Sequence, residues 1–125
     1  MNFNNSVIDW KQVDNVISSS NRILLTTHEN PDGDGLGSEV AMYHHLCDEE
    51  KDVKIINCSI TPSMFDYINE GGCIETYNES YHLEWLKKCE LVIVFDVGDF
   101  NRTRDVKKAV ERFNIPIMNI DHHPH

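Results

Sequence analysis

The chain has 125 residues, with 11 basic and 21 acidic side chains and a formal charge of −10. This length suits one domain with a single hydrophobic core. So acidic a surface repels long nucleic acid and anionic membranes. No apolar run approaches the length of a bilayer span.

The four cysteines are widely spaced and form no Cys-x-x-Cys pair. The first residues lack the basic segment and apolar core of a secretion signal. We therefore expect free thiols in a reducing cytoplasm. The cysteines are Cys47, Cys58, Cys73 and Cys89.

The first half of the chain alternates helix and strand patterns. Helical spacing of apolar residues predicts a first helix from Val7 to about Ser19, and the β-rich run from Arg22 to Thr27 predicts the first strand. After a loop, Ser38 is expected to open a second helix that ends in the acidic segment from Asp48 to Glu50. Val53 to Cys58 then predicts the second strand.

The second half continues the alternation, and one of its strands is apolar throughout, as in strands buried on both faces. Helix signals such as Pro at a first helical position mark where its elements begin. The predicted elements are a short helix from Thr61 to Gly71, a short strand from Ile74 to Tyr77, a helix around Leu83 and Leu86, the apolar strand from Leu91 to Phe95, a helix from Val106 to Phe113 and a strand from Ile115 to Ile120.

Strands that alternate with helices predict a doubly wound α/β fold, with a mainly parallel, Rossmann-like sheet of about five strands and helices on both faces. Polar residues follow three of the strands, and the carboxyl ends of parallel strands meet at one edge of the sheet. We therefore expect these side chains to converge. They are His28, Asp32 and Asp34 after the first strand, Asp96 after the apolar strand, and Asp121, His122 and His123 after the last.

The segment from His28 to Ser38 is too rich in Gly and Pro to be predicted as regular structure. Its glycines allow positive φ or close backbone approach, which would leave amide N–H groups for an anion. A helix that begins at Ser38 would direct its unpaired donors to the same place. Gly35 and Ser38 are therefore candidate phosphate-binding residues.

Carboxylate and imidazole ligands without thiolate suit Mn²⁺, and they also accept Mg²⁺, Co²⁺, Fe²⁺ or Zn²⁺. The candidate ligands outnumber the needs of one ion, which predicts a two-metal site that activates water for attack at phosphorus. A Ca²⁺ loop is excluded because its register would place Leu36 and Tyr43 at ligand positions. The glycines also lack the spacing of a dinucleotide fingerprint.

Three motifs of this chain, taken in order, resemble those of the DHH phosphoesterase family. They are His-x-Asn-Pro-Asp-Gly-Asp-x-x-Gly-Ser from His28, Asp-x-x-Asp-x-x-Arg from Asp96, and Asp-His-His from Asp121. The resemblance runs from roughly Arg22 to the last residue. It is strongest to the branch of bacterial oligoribonuclease and 3′-phosphoadenosine-5′-phosphate phosphatase proteins.

The resemblance implies a distribution of metal ligands over two Mn²⁺ ions. His28 and Asp32 would hold one ion, Asp34 and His122 the other, and Asp96 would bridge them. A water between the two ions would be the nucleophile. Mg²⁺ or Co²⁺ could replace Mn²⁺.

The same resemblance implies roles for the remaining motif residues. Asp121 would orient an imidazole, and His123 would face the substrate phosphate as hydrogen-bond donor or general acid. Together with Asp96, these two are the candidate catalytic residues. Arg102 would steady its loop or meet a phosphate.

The family implies hydrolysis of phosphate esters in short oligonucleotides or nucleoside bisphosphates. Pyrophosphate hydrolysis, cyclic dinucleotide cleavage and single-strand exonuclease activity, found in related branches, stay open. Family members continue past the His-His pair with a further metal ligand and a second, substrate-binding domain. We therefore expect residues 1–125 to be a partial DHH domain.

Two hypotheses of other classes remain. One is a non-catalytic domain that binds metal or nucleotide. The other is a receiver-like signalling domain, which is disfavoured because no Lys follows the last strand. Unpaired sheet edges would also allow two copies to associate as a homodimer.

Overall fold

The computed structural model of the protein describes residues 10–120, and its helices and strands alternate along the chain. Two short 3₁₀ turns, Ser63–Phe65 and Phe100–Thr103, lie in the connections. The helices and strands are α1 (Trp10–Ser18), β1 (Arg22–Thr26), α2 (Gly33–Asp48), β2 (Asp52–Asn57), β3 (Ile74–Thr76), α3 (Glu79–Lys87), β4 (Leu91–Phe95), α4 (Asp105–Arg112) and β5 (Ile117–Ile120).

The five strands form one sheet in the order β3-β2-β1-β4-β5, and every pair is parallel. This confirms the predicted doubly wound α/β fold. The strand order reverses between β1 and β4, because the chain moves from β1 toward one edge and later returns to build the other. Open α/β sheets bind ligands outside the carboxyl ends of the strands at this switch point.

Successive residues of the strands alternate between two apolar cores, one on each face of the sheet. On β1, Leu24 joins the core beneath α3 and α4, whereas Ile23 and Leu25 join the core beneath α1 and α2. Strand β4 is buried throughout, as its continuous apolar sequence predicts. In the first half of the chain the strands are added from β1 toward β3, and in the second half from β4 toward β5. Because the connections in both halves have the same handedness, their helices lie on opposite faces of the sheet.

Helix α2 begins at Gly33, five residues before the predicted start at Ser38. The Asp32 side chain accepts the backbone N–H of Gly35 at 3.1 Å and caps the helix. This cap and the packing of the first turn make residues 33–38 helical, so the prediction of irregular structure is correct for residues 28–32 and wrong for residues 33–38. The predicted start of the first helix, Val7, lies outside the described residues.

The helix predicted from Thr61 to Gly71 is instead a series of turns. Backbone hydrogen bonds in this segment span three residues, as from Ile68 N–H to the Phe65 carbonyl, and only Ser63–Phe65 is 3₁₀-helical. Phe65 and Ile68 are only half buried. Short helices depend on packing for stability, and this segment has too little of it.

Among residues 10–120, no helix combines the length and the apolar character needed to cross a bilayer.

Ile93 lies in the middle of β4 and is fully buried between β1 and β5. We expect Ile93→Ala to lower the free energy of unfolding by about 3 kcal/mol, because it removes buried methyl groups and leaves a cavity. Ile60, an exposed residue, is the control, and Ile60→Ala should change stability by less than about 0.5 kcal/mol. Urea unfolding measures both values, and equal effects would contradict this account of the core.

Candidate metal centre

Three side chains of the types that can hold a metal ion meet at the switch point of the sheet. His28 follows β1, Asp32 caps α2 and Asp96 follows β4. His28 Nε2 lies 3.5 Å from Asp96 Oδ2 and 3.9 Å from Asp32 Oδ2, and one ligand atom of each residue lies within 4.8 Å of the others. His28 and Asp96 are buried, whereas Asp32 is open to solvent. The group is therefore anchored in the core and accessible from one side.

The backbone fixes the tautomer of His28. Its Nδ1 lies 2.5 Å from the carbonyl oxygen of Glu29. Because a carbonyl only accepts hydrogen bonds, Nδ1 carries the hydrogen and the lone pair of Nε2 faces the two carboxyl groups. The Arg102 guanidinium lies 3.4 Å from Nδ1, but it too is a donor and is therefore a neighbour of that nitrogen rather than its partner.

Asp32 combines the roles of helix cap and candidate ligand. Burial acts to raise the pKa of Asp32, but hydrogen bonds from the Gly35 backbone and the Asp96 carboxyl, together with nearby His28, lower the pKa below its ordinary value. The N-terminus of α2, which is the positive end of the helix dipole, also favours a negative charge on Asp32. Asp32 is thus held as a carboxylate beside the other two side chains.

The backbone of Asp96 adopts a left-handed conformation, with φ of 60°. Such a conformation is unfavourable for most residues and is tolerated best by Asn and Asp. The Asp96 N–H donates to the carbonyl of Ile120 at 3.0 Å. Strained backbone of this kind is concentrated at functional sites, because surrounding structure must hold it in place.

A close approach between α2 and β1 brings the helix to the site. A Cβ atom added at Gly35 would lie 2.6 Å from Thr27 Oγ1, which itself donates to the Phe95 carbonyl at 2.7 Å. Gly35 therefore serves the close approach predicted for it. Positive φ does not occur at Gly33, Gly35 or Gly37.

The other predicted site residues lie in different places. Asp34 is exposed in the first turn of α2 and is outside the three-residue group. The Gly35 N–H is already bonded to Asp32, and Ser38 lies inside α2 rather than at its start, so neither offers the unpaired N–H that was predicted to bind phosphate. Arg102 is exposed beside His28. The predicted residues Asp121, His122 and His123 lie outside the described part of the chain.

Glu29 ties the segment after β1 to the segment after β4, a role that the sequence did not indicate. Its N–H donates to the Arg102 carbonyl at 2.8 Å, and its carboxylate accepts two hydrogen bonds of 2.7 Å from Arg104. The Arg104 contact lowers the pKa of Glu29. The loops that carry His28 and Asp96 are thereby joined beside the site.

Glu39 is a second residue that sequence reasoning missed. Its carboxyl is fully buried on α2 and accepts the Asn57 Nδ2 hydrogen at 2.9 Å. Burial raises the pKa of Glu39 to about 8, and the Asn57 hydrogen bond offsets this only in part. A signal was present, because Glu39 is three residues after Leu36 and four before Tyr43 and so shares the apolar face of the helix.

Fold and site together define a parallel α/β domain with imidazole and carboxylate side chains at its switch point, a group suited to a divalent metal. The sequence model of the N-terminal domain of the DHH family matches residues 22–125. The chain belongs to the DHH family. It is a phosphoesterase-like domain of a family that generally uses divalent metals.

Two relatives illustrate the similarity. The chain is 26% identical over 110 residues to the bifunctional oligoribonuclease and PAP phosphatase NrnA of Mycoplasma genitalium, and the match covers 88% of this chain and 33% of that protein. An exopolyphosphatase-related protein of Bacteroides fragilis has the same fold, with a TM-score of 0.83 at 20% identity over 92% of this chain and 34% of that one. The chain therefore spans about a third of the length of each.

Gly35 and Gly37 provide a matched pair of helix substitutions. We expect Gly35→Ala to lower the free energy of unfolding by about 1 to 2 kcal/mol, because the new Cβ would press on the Thr27 hydroxyl. No atom lies within 4 Å of the Cβ position at Gly37. Gly37→Ala should therefore raise stability by about 0.5 kcal/mol through helix propensity. Urea unfolding gives both values, and stabilisation by both substitutions would contradict the close approach.

The buried carboxyl group of Glu39 predicts that the free energy of unfolding depends on pH. The pKa of Glu39 rises from 4.5 to about 8 on folding, so between these values the native state holds a proton that the unfolded chain lacks. The stability that Glu39 contributes is fully present below its pKa in the unfolded chain. It is lost as the pH rises toward its pKa in the folded protein, by up to about 1.4 kcal/mol per pH unit. Relative to Glu39→Gln, the natural protein should lose stability from about pH 5 to 8 in urea unfolding. The exposed Glu70→Gln is the control, and a constant difference for Glu39→Gln would contradict the prediction.

Proposed function

We propose that this chain belongs to a Mn²⁺-dependent phosphoesterase that hydrolyses phosphate esters of short oligonucleotides or nucleoside bisphosphates. The observation that carries the proposal is the convergence of His28 Nε2 with the Asp32 and Asp96 carboxyls at the switch point. The substrate class is supported by the relative NrnA, which is named as a bifunctional oligoribonuclease and PAP phosphatase. The four cysteines form no disulfide, which suits action in the cytoplasm.

The donor set fits a divalent cation. One carboxyl oxygen of Asp32 and one of Asp96 lie within 4.8 Å of each other, so two negative charges there would repel without a cation. A divalent cation could balance both carboxylates. The exposed nitrogen lone pair of His28 completes a mixed nitrogen and oxygen set of the kind that binds Mn²⁺.

A second ion would be held by Asp34 and His122, with Asp96 shared between the two. Asp34 lies two residues after Asp32 in the same helical turn. The Ile120 carbonyl is bonded to the Asp96 N–H, and His122 is two residues further along the chain. These positions support the second site.

In the proposed reaction, the oxygen of a water molecule attacks phosphorus as the proton of the water passes to solvent, and the ester P–O bond breaks. Bound divalent ions supply positive charge for the phosphoryl oxygens and make water more acidic. The Arg102 guanidinium, exposed beside His28, binds a non-bridging phosphate oxygen. His123 gives a proton to the departing oxygen, and Asp121 orients an imidazole.

Asp96→Asn tests this proposal while preserving the shape of the side chain. We expect Mn²⁺ affinity to fall more than about tenfold, because the substitution removes the shared carboxylate. Release of phosphate from 3′-phosphoadenosine-5′-phosphate and of mononucleotide from an adenylate dinucleotide should fall at least about 100-fold. Titration calorimetry measures the first quantity, and product analysis with and without Mn²⁺ measures the second.

The matched control is Asp99→Asn, in the same loop. Asp99 is exposed and caps the following 3₁₀ turn through a 3.0 Å hydrogen bond from Asn101 N–H, a role that Asn fills equally well. Both measurements should be unchanged. Full turnover in Asp96→Asn would overturn the proposed centre, and Mn²⁺ binding without turnover in the natural protein would favour a non-catalytic binding domain.

A further inference from the structure

A buried polar network lies directly behind the candidate metal centre. Asn57, at the end of β2, accepts the Thr27 N–H on its Oδ1 at 3.1 Å and donates from Nδ2 to Glu39 at 2.9 Å. The Thr27 hydroxyl donates to the carbonyl of Phe95 at 2.7 Å. Thr27 immediately precedes His28, and Phe95 immediately precedes Asp96. The network is therefore one residue away from two candidate ligands.

The same network reaches the third ligand through α2. Glu39 lies on this helix, and Asp32 caps its N-terminus. The hydrogen bonds thus connect the three elements that carry the metal-binding side chains, which are β1, α2 and β4. A shift of Glu39 or Asn57 would change how these elements sit relative to one another.

The network has a cost that packing alone does not explain. Glu39, Asn57 and Thr27 are fully buried. Glu39 Oε2 has no hydrogen-bond partner among the described residues. A buried polar group with an unsatisfied atom destabilises a core, and an apolar residue of similar size would avoid this. The arrangement indicates that these residues fix the geometry of the site rather than stabilise the core.

We propose that Glu39 and Asn57 are positioning residues for the metal centre, in which Glu39 fixes the Asn57 amide and Asn57 fixes the end of β1 behind His28. This inference rests on the proposed function, because it assumes that the centre binds a metal. Glu39 acts as a neutral acid at pH 7, since burial raises its pKa to about 8. Gln can therefore reproduce its role, whereas Leu of similar size cannot.

The experiment compares Mn²⁺ affinity by titration calorimetry at pH 7. We expect Glu39→Leu and Asn57→Ala each to weaken Mn²⁺ binding about tenfold, and Glu39→Gln to stay within about twofold of the natural protein. The double variant Glu39→Leu with Asn57→Ala should be no weaker than Asn57→Ala, because both residues act through one path.

A second readout needs no metal. The Thr27 amide donates to Asn57, so its hydrogen exchange, followed by NMR, reports on the network directly. We expect Glu39→Leu to speed exchange of this amide about tenfold, and Glu39→Gln to leave it protected. Val110→Ala is the matched control, because it weakens the core beneath α4. It should lower the melting temperature without changing Mn²⁺ affinity or Thr27 exchange.

The outcomes separate this inference from the proposed function. Absence of Mn²⁺ binding to the natural protein would overturn the proposed function and, with it, the positioning role. Mn²⁺ binding that is unchanged in a folded Glu39→Leu variant would overturn the positioning role alone. The positioning role alone would also be overturned if Glu39→Gln weakened Mn²⁺ binding as much as Glu39→Leu does, or if Val110→Ala weakened Mn²⁺ binding as much as Glu39→Leu does.

Discussion

The candidate centre depends above all on the parallel pairing of β1 with β4. Their register aligns Thr26 with Val94. Continued by two residues, it sets His28 opposite Asp96, and the two side chains meet 3.5 Å apart. The residues are 68 positions apart in the chain, and no local interaction could join them. The side chains of β4 pack into the apolar cores on both faces of the sheet, and this packing helps to hold the register.

Local structure at the site departs from ordinary preferences in two places. Glycine is unfavourable inside a helix, yet Gly35 lies in the first turn of α2 because the close approach to Thr27 leaves no room for a Cβ atom. Asp96 takes a left-handed backbone that few residues tolerate. Sequences that specify a fold consistently elsewhere commonly accept such departures where function demands a particular geometry.

Polar interactions surround the centre on both sides. In front, Glu29 joins the loops after β1 and β4 through Arg102 and Arg104. Behind, Asn57 and Glu39 occupy positions where an apolar core would ordinarily continue. Support of this kind matters for metal sites, since replacing a residue that orients a ligand typically weakens metal binding by about 10- to 100-fold.

The alternation of elements, the parallel sheet, the family and the candidates His28, Asp32 and Asp96 could be predicted from the sequence, because period, turn chemistry and motif order are visible without the fold. It misplaced the start of α2, since a side-chain cap and tight packing overrode the irregular character of a Gly-rich segment. The contact between Glu39 and Asn57 became evident only from the fold. The apolar face of the helix indicates that Glu39 is buried, but its hydrogen-bond partner is distant in the chain and no local pattern identifies it.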